Sequence, residues 1–170
     1  MPRRVLLILA LPMMVAAAVW AASPALADSP HFISEGTASI TSTGAYHVQD
    51  FKEAGLGNTV STEAITLSAT ANATYACING GGNHPKATNK QSVTGQVSNT
   101  GSFPVRNGST TGSLSVGPPA AGPFKPPCSP PQTVALVFVS YTNVSLTGLA
   151  GDTSTEPDLN ACLFPGIGIC

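Results

Sequence analysis

The stretch I-T-L-S-A-T-A-N-A-T-Y-A-C, residues 65–77, decides how the chain is read. Ile65, Leu67, Ala69, Ala71, Ala73, Tyr75 and Cys77 fall on one side of the alternation, and Thr66, Ser68, Thr70, Asn72 and Thr74 on the other. Successive side chains of a strand point to opposite faces, so this pattern predicts a strand with one dry and one wet side. The strand is expected from about Val60 to Cys77, with a bulge near residues 62–64 where the apolar phase slips. It runs into a glycine-rich loop, Ile78 to Lys90.

On the N-terminal side, Arg3 and Arg4, the apolar run Val5 to Val19 and the site Ala25-Leu26-Ala27 read as a secretory signal over residues 1–27. One domain is then expected over residues 28–170, exported and extracellular, with no stable membrane insertion after cleavage. That part carries five basic and eight acidic residues, a net formal charge of −3. Lys52, Lys86, Lys90, Arg106 and Lys125 are too scattered for a nucleic-acid footprint. Charged residues make up 9% of the chain, against about a quarter in ordinary globular proteins, so hydroxyls and amides must supply the polar surface. Threonine suits the pleated sheet, which points to an all-β protein with a hydroxyl-rich exterior.

Cys77, Cys128, Cys162 and Cys170 form an even set in an exported chain and predict two disulfides. Three connectivities are possible; the spacing favours Cys77–Cys128 and Cys162–Cys170. No C-x-x-C pair or neighbouring histidine suggests a metal site, and no cofactor is expected.

Along the chain, His31 to Thr41 is a candidate strand, Ser42-Thr43-Gly44 a turn, Ala45 to Phe51 its return, and Glu53 to Asn58 a loop. Gln91 to Ser98 is a short strand closed by a turn at Asn99-Thr100-Gly101. Arg106-Asn107-Gly108 is a hairpin signal, with Leu114 and Val116 inward on the return. Residues 117–131 hold seven prolines and predict a stiff connection anchored by Cys128. Gln132 to Thr147 is apolar on both faces at first, as a central strand would be. Ser154 to Leu159 could start a short helix. Together these predict a disulfide-stapled antiparallel β-sandwich, immunoglobulin-like in general architecture, with a small β-barrel as the alternative.

No constellation for catalysis is visible. No G-x-S-x-G or H-E-x-x-H motif occurs, and His47 reads as a surface strand residue. The carboxylate pairs Asp50/Glu53 and Glu156/Asp158 fall in predicted loops. The best site candidate is the loop Asn79 to Lys90. Gly80, Gly81 and Gly82 would let backbone N–H groups converge, with His84, Lys86 and Lys90 as donors beside the amides of Asn79 and Asn83. Such a loop would hold a sugar, a phosphate or a peptide carboxylate.

The runs F-K-E-A-G-L-G-N at residues 51–58 and Y-A-C-I-N-G-G-G-N-H-P-K-A-T-N-K at 75–90 resemble a group of small, uncharacterised secreted actinobacterial proteins. The neighbourhood of Cys128 and S-Y-T-N-V-S-L-T at 140–147 are similar to that group too. The resemblance implies export and supplies no mechanism. The leading expectation is a non-catalytic extracellular binding or surface protein whose partner is unknown, with an extracellular glycan or protein as the candidate classes. An inhibitor of secreted proteases, using the proline-rich segment, is the alternative, and a small secreted hydrolase a third.

Overall fold

The computed structural model describes residues 29–79, 90–123 and 127–164. They form two antiparallel sheets packed face to face, with strands and no helix among them. The sandwich is open at its edges, so the barrel alternative does not hold. No helix among the described residues is long and apolar enough to cross a membrane.

The smaller sheet is built on β3 (Tyr46–Ala54). β6 (Ser109–Val116) lies along one of its edges. β1 (His31–Ser34) and β2 (Thr37–Ile40) share the other, β1 beside Lys52–Ala54 and β2 beside Tyr46–Gln49. The predicted single strand His31–Thr41 is thus broken in two. Gly36 makes the break at φ 86°, and a Cβ there would strike the Gln49 carbonyl, so the position needs glycine on both counts.

The larger sheet is ordered β5 (Lys90–Pro104), β4 (Thr62–Ile78), β7 (Thr133–Thr147), with β8 (Thr153–Thr155) and β9 (Leu159–Cys162) sharing the far edge of β7. The organising strand is therefore β4, central and 17 residues long. Its ladder to β5 runs unbroken from Thr62↔Pro104 to Ala76↔Lys90. The turn expected at Asn99-Thr100-Gly101 is absorbed into β5, because a continuous partner outweighs three turn-prone residues. The hairpin at Asn107-Gly108 is present, with φ 51° and 70° as a two-residue hairpin turn requires. The helix suggested at Ser154–Leu159 is absent; those residues belong to β8, β9 and the link between them.

Bulges set the phase of the core. None falls at residues 62–64; the slips lie elsewhere. In β3, Gln49 and Asp50 together oppose Ser113, with Asp50 at φ 59° and its N–H donating to Ser113 Oγ at 3.2 Å. In β7, Asn143 sits at φ 52° between the Thr70↔Thr142 and Ser68↔Ser145 pairs. Each inserts a residue and returns the next side chains inward. The core is then Tyr46, Val48, Phe51, Leu114 and Val116 from one sheet, facing Ile65, Leu67, Ala69, Ala71, Val139, Tyr141, Val144 and Leu146 from the other. Tyr46 and Tyr141 meet edge to face at 5.4 Å, and Phe51 meets Phe103 likewise at 5.1 Å. The two phenols spend their polar ends on carbonyls: Tyr46 on Pro157 and Tyr141 on Gly44, both at 2.8 Å. Burial raises both phenols, Tyr141 to about 12.

β4 and β7 outrun the smaller sheet, and the proline-rich segment makes up the difference. Leaving β6 at Val116, it crosses the inner face of β4 and β5. Tyr75 Oη donates to the Pro119 carbonyl at 2.7 Å, a Cβ on Gly95 would sit 3.9 Å from Pro119, and one on Gly122 would sit 3.4 Å from the Gln91 amide. The Cys77–Cys128 disulfide, Cα–Cα 5.5 Å, ties the far end down. Cys162 is also disulfide-bonded. Its expected partner, Cys170, lies outside the described residues, as do the signal segment and Gly80–Asn89.

Candidate functional site

The wet face of β4 continues across the larger sheet from the Thr66 row to the Asn72 row; the next row, Ser92, Thr74, Phe138 and Cys162, brings a phenyl ring and a disulfide cysteine onto that side. Cross-strand register lines its outward side chains into rows: Thr100, Thr66, Thr147 and Thr153; Ser98, Ser68, Ser145 and Thr155; Gln96, Thr70 and Thr142; Thr94, Asn72, Ser140 and Asn160. Every side chain in these rows is a hydroxyl or an amide. In β4, β5, β7, β8 and β9 only Glu63 and Lys90 carry charge, and Glu63 is buried on the inner side while Lys90 begins β5. Strands lie about 4.8 Å apart and same-face residues repeat about every 6.7 Å, so the rows make a regular polar grid.

The grid is tied within itself. Thr66 Oγ1 and Thr100 Oγ1 lie 2.8 Å apart, Thr74 and Ser92 2.9 Å, and Ser68 and Ser145 3.1 Å. Asn72 Nδ2 donates to Thr94 and Gln96 Nε2 to Thr70, each at 2.8 Å. A hydroxyl has one donor and two acceptor lone pairs. In each hydroxyl pair one O–H is used internally, which leaves the other O–H and further lone pairs uncommitted within that pair. The lattice is thus held in place and still able to bond a ligand.

The loop Asn79 to Lys90 has only its ends among the described residues. Ala76 pairs with Lys90, so the loop joins β4 to β5 as a long hairpin connection at the disulfide end of the sheet. Asn79 Oδ1 is buried with no hydrogen-bond partner among the described residues. Gly80, Gly81, Gly82, Asn83, His84 and Lys86 lie outside them.

The carboxylate pairs do not form as the sequence suggested. Asp50 and Glu53 are in β3 rather than a loop, Asp50 exposed at the bulge and Glu53 wholly buried. Glu156 is buried and bonded by Ser154 Oγ at 3.4 Å, while Asp158 accepts the Asn143 N–H at 3.1 Å from an exposed position. His47 accompanies Ser115 Oγ at 2.7 Å on the outer side of the smaller sheet. Among the described residues, no group of three or more His, Cys, Asp or Glu has metal-holding geometry.

Sequence reading missed an acidic cluster under the turn after β7. Glu53, Glu63 and Asp152 converge there, and Leu149 N–H donates to Glu63 Oε1 at 2.6 Å. Among the described residues, neither oxygen of Glu53 or of Asp152 reaches a well-formed hydrogen bond, although both residues' oxygens are buried. Burial first, then the neighbouring Asp152 and Glu63, push the Glu53 carboxyl up to about 7. The signal for this cluster lay in the β3 bulge, which turns Glu53 inward and which no residue pattern marks. Beside it is a cavity of about 270 Å³ lined by Pro30, Leu56, Val60, Glu63, Leu149 and Ala150. A second cleft, about 400 Å³, lies between Lys52 and Arg106 over the Asn107 turn. Both are open and small beside the polar face.

Comparison with protein-family models, with curated proteins and with solved structures gave no match.

Proposed function

We propose that the chain is an exported, non-catalytic binding protein that lays the outer face of its larger sheet against a neutral, polyhydroxylated surface, an extracellular glycan. The uncharged hydroxyl-and-amide grid carries this reading. A neutral glycan offers hydroxyls at every sugar and no charge, and a face without charge exacts no desolvation of ions on contact. Affinity comes from many weak hydrogen bonds on a flat surface, which suits a polymer or an insoluble polysaccharide better than a single sugar. The disulfide and the secretory-type N-terminus support an oxidising compartment. The protease-inhibitor reading has less to stand on, since Pro119 is already committed to Tyr75 within the fold.

The test is co-sedimentation with insoluble polysaccharides together with a glycan array. Wild type should bind. Thr94→Lys with Thr142→Lys, both exposed on the grid, should lose binding while unfolding normally. His84→Ala should bind as wild type does if the face is the site, and should lose binding if the glycine-rich loop is. Wild type blank on both assays would overturn the glycan reading.

A further inference from the structure

Natural sheets protect their edges, because a row of unpaired N–H and C=O groups will accept any strand that fits. Three of the four edges formed by the described residues are protected. β1 and β2 split one edge at Gly36. β8 and β9 are three and four residues long, with Pro157 between them. β6 is eight residues long and has its Ser115 carbonyl taken by Asn99 Nδ2 at 2.8 Å.

β5 has none of these devices. It is 15 residues long and pairs with β4 on one side and with no strand of the described residues on the other. Its ladder to β4 has no bulge to twist the edge away. Its one charge, Lys90, and its one proline, Pro104, are its first and last residues. Between them the outward side chains are Ser92, Thr94, Gln96, Ser98, Thr100 and Ser102, which neither repel nor crowd a neighbour.

We propose that β5 is a self-association edge: two copies of this chain pair their β5 strands antiparallel about a twofold axis at Val97. The sequence is self-complementary in that register. Ser92 then faces Ser102 of the second copy, Thr94 faces Thr100 and Gln96 faces Ser98. These are uncharged, hydrogen-bonding cross-strand pairs of a kind that stabilises sheets. The antiparallel sense sends the two Lys90 residues to opposite ends, so the only charges on the strand stay apart. A twofold contact is closed, giving a dimer rather than a fibre. The two polar grids become one continuous face across the joined sheets, and the pairing does not depend on what that face binds.

The experiment is sedimentation velocity on the purified protein from low to high micromolar concentration. Wild type should show a concentration-dependent dimer. Gln96→Lys with Ser98→Lys places like charges directly opposite each other in the dimer and should weaken it at least about tenfold. Its monomer should keep the wild-type far-ultraviolet spectrum. Mixing Thr94→Cys with Thr100→Cys protein should give an oxidative cross-link that neither variant gives alone. A monomer at every concentration, a double-lysine variant that dimerises like wild type, or a dimer without the mixed cross-link would each overturn the proposal.

Discussion

Glu53 and Asp152 bring their carboxyl groups together over the Cα of Gly148. A Cβ on Gly148 would lie 2.5 Å from Asp152 Oδ1 and 2.9 Å from Glu53 Oε1. One comes from the middle sheet strand β3, the other from the turn between β7 and β8, and Glu63 of β4 stands nearby. No lysine or arginine compensates them among the described residues. The arrangement is tenable when Glu53 holds a proton, and burial favours that neutral form.

Stability should therefore fall as the pH rises from about 4.5 to about 7. Glu53 titrates near 7 in the fold and near 4.5 when unfolded. The native state binds more protons across that window, so raising the pH favours unfolding. The loss is on the order of 3 kcal/mol at full ionisation, by about 1.4 kcal/mol per pH unit. Burial and Glu35 push Glu156 the same way, against the Ser154 bond. Urea unfolding at pH 5 and pH 8 should show the difference. Glu53→Gln should reduce it, leaving the share of Glu156, and be more stable than wild type at pH 8. A wild-type profile that rises over the window would contradict the assignment.

Gly112 leaves room for an aromatic ring. Phe103 lies where a Gly112 Cβ would project, and the Phe51 ring edge would be 3.0 Å from the same atom. Gly112→Ala should cost about 1–3 kcal/mol by overpacking and lower the melting temperature by several degrees. Ser113→Ala, one residue away and exposed, removes only the Oγ that accepts the Asp50 N–H and should cost less.

Tyr141 is wholly buried, and its hydroxyl serves the Gly44 carbonyl at 2.8 Å. Tyr141→Phe keeps the ring against Tyr46 but leaves that carbonyl without its partner. About 1–3 kcal/mol should be lost in chemical denaturation. A neutral effect would mean that water reaches Gly44.

Removing the Cys77–Cys128 bridge, which closes a separation of 51 residues, should cost at most about 4 kcal/mol in the loop-entropy account. Cys77→Ser with Cys128→Ser should raise amide exchange in Tyr75, Ala76, Gln91 and Val93 far more than in Ile65, Leu67 and Leu146. Uniform acceleration over both groups would show that the bridge stabilises the whole sandwich rather than one end.

The alternation from Ile65 to Cys77 was enough to place the central strand and its two faces, and the apolar run at Val134–Tyr141 marked its neighbour. Asn107-Gly108 announced its hairpin, because only a few dipeptides accept two left-handed residues. What escaped notice was non-local. Asn99-Thr100-Gly101 looks like a turn until β4 is laid beside it. The bulges at Asp50 and Asn143 depend on where the opposite strand happens to fall, and with them went the inward swing of Glu53. The polar face was foreseen as an exterior, but its rows exist only in the register of four strands. The loop Asn79–Lys90 was singled out for its composition, and its ends confirm a hairpin connection alone.

The strap of prolines over the long end of the larger sheet divides the molecule into unequal halves. Where Tyr46 and Tyr141 meet, two sheets hold each other; past Ala73, the larger sheet is held by the Gly44 turn against Leu136, by Pro119 and by a sulfur bridge. Opening the Cys77–Cys128 bridge therefore acts on this protein as a key to one end. It can loosen the tip from which the Asn79–Lys90 connection springs while the two-sheet body stays closed.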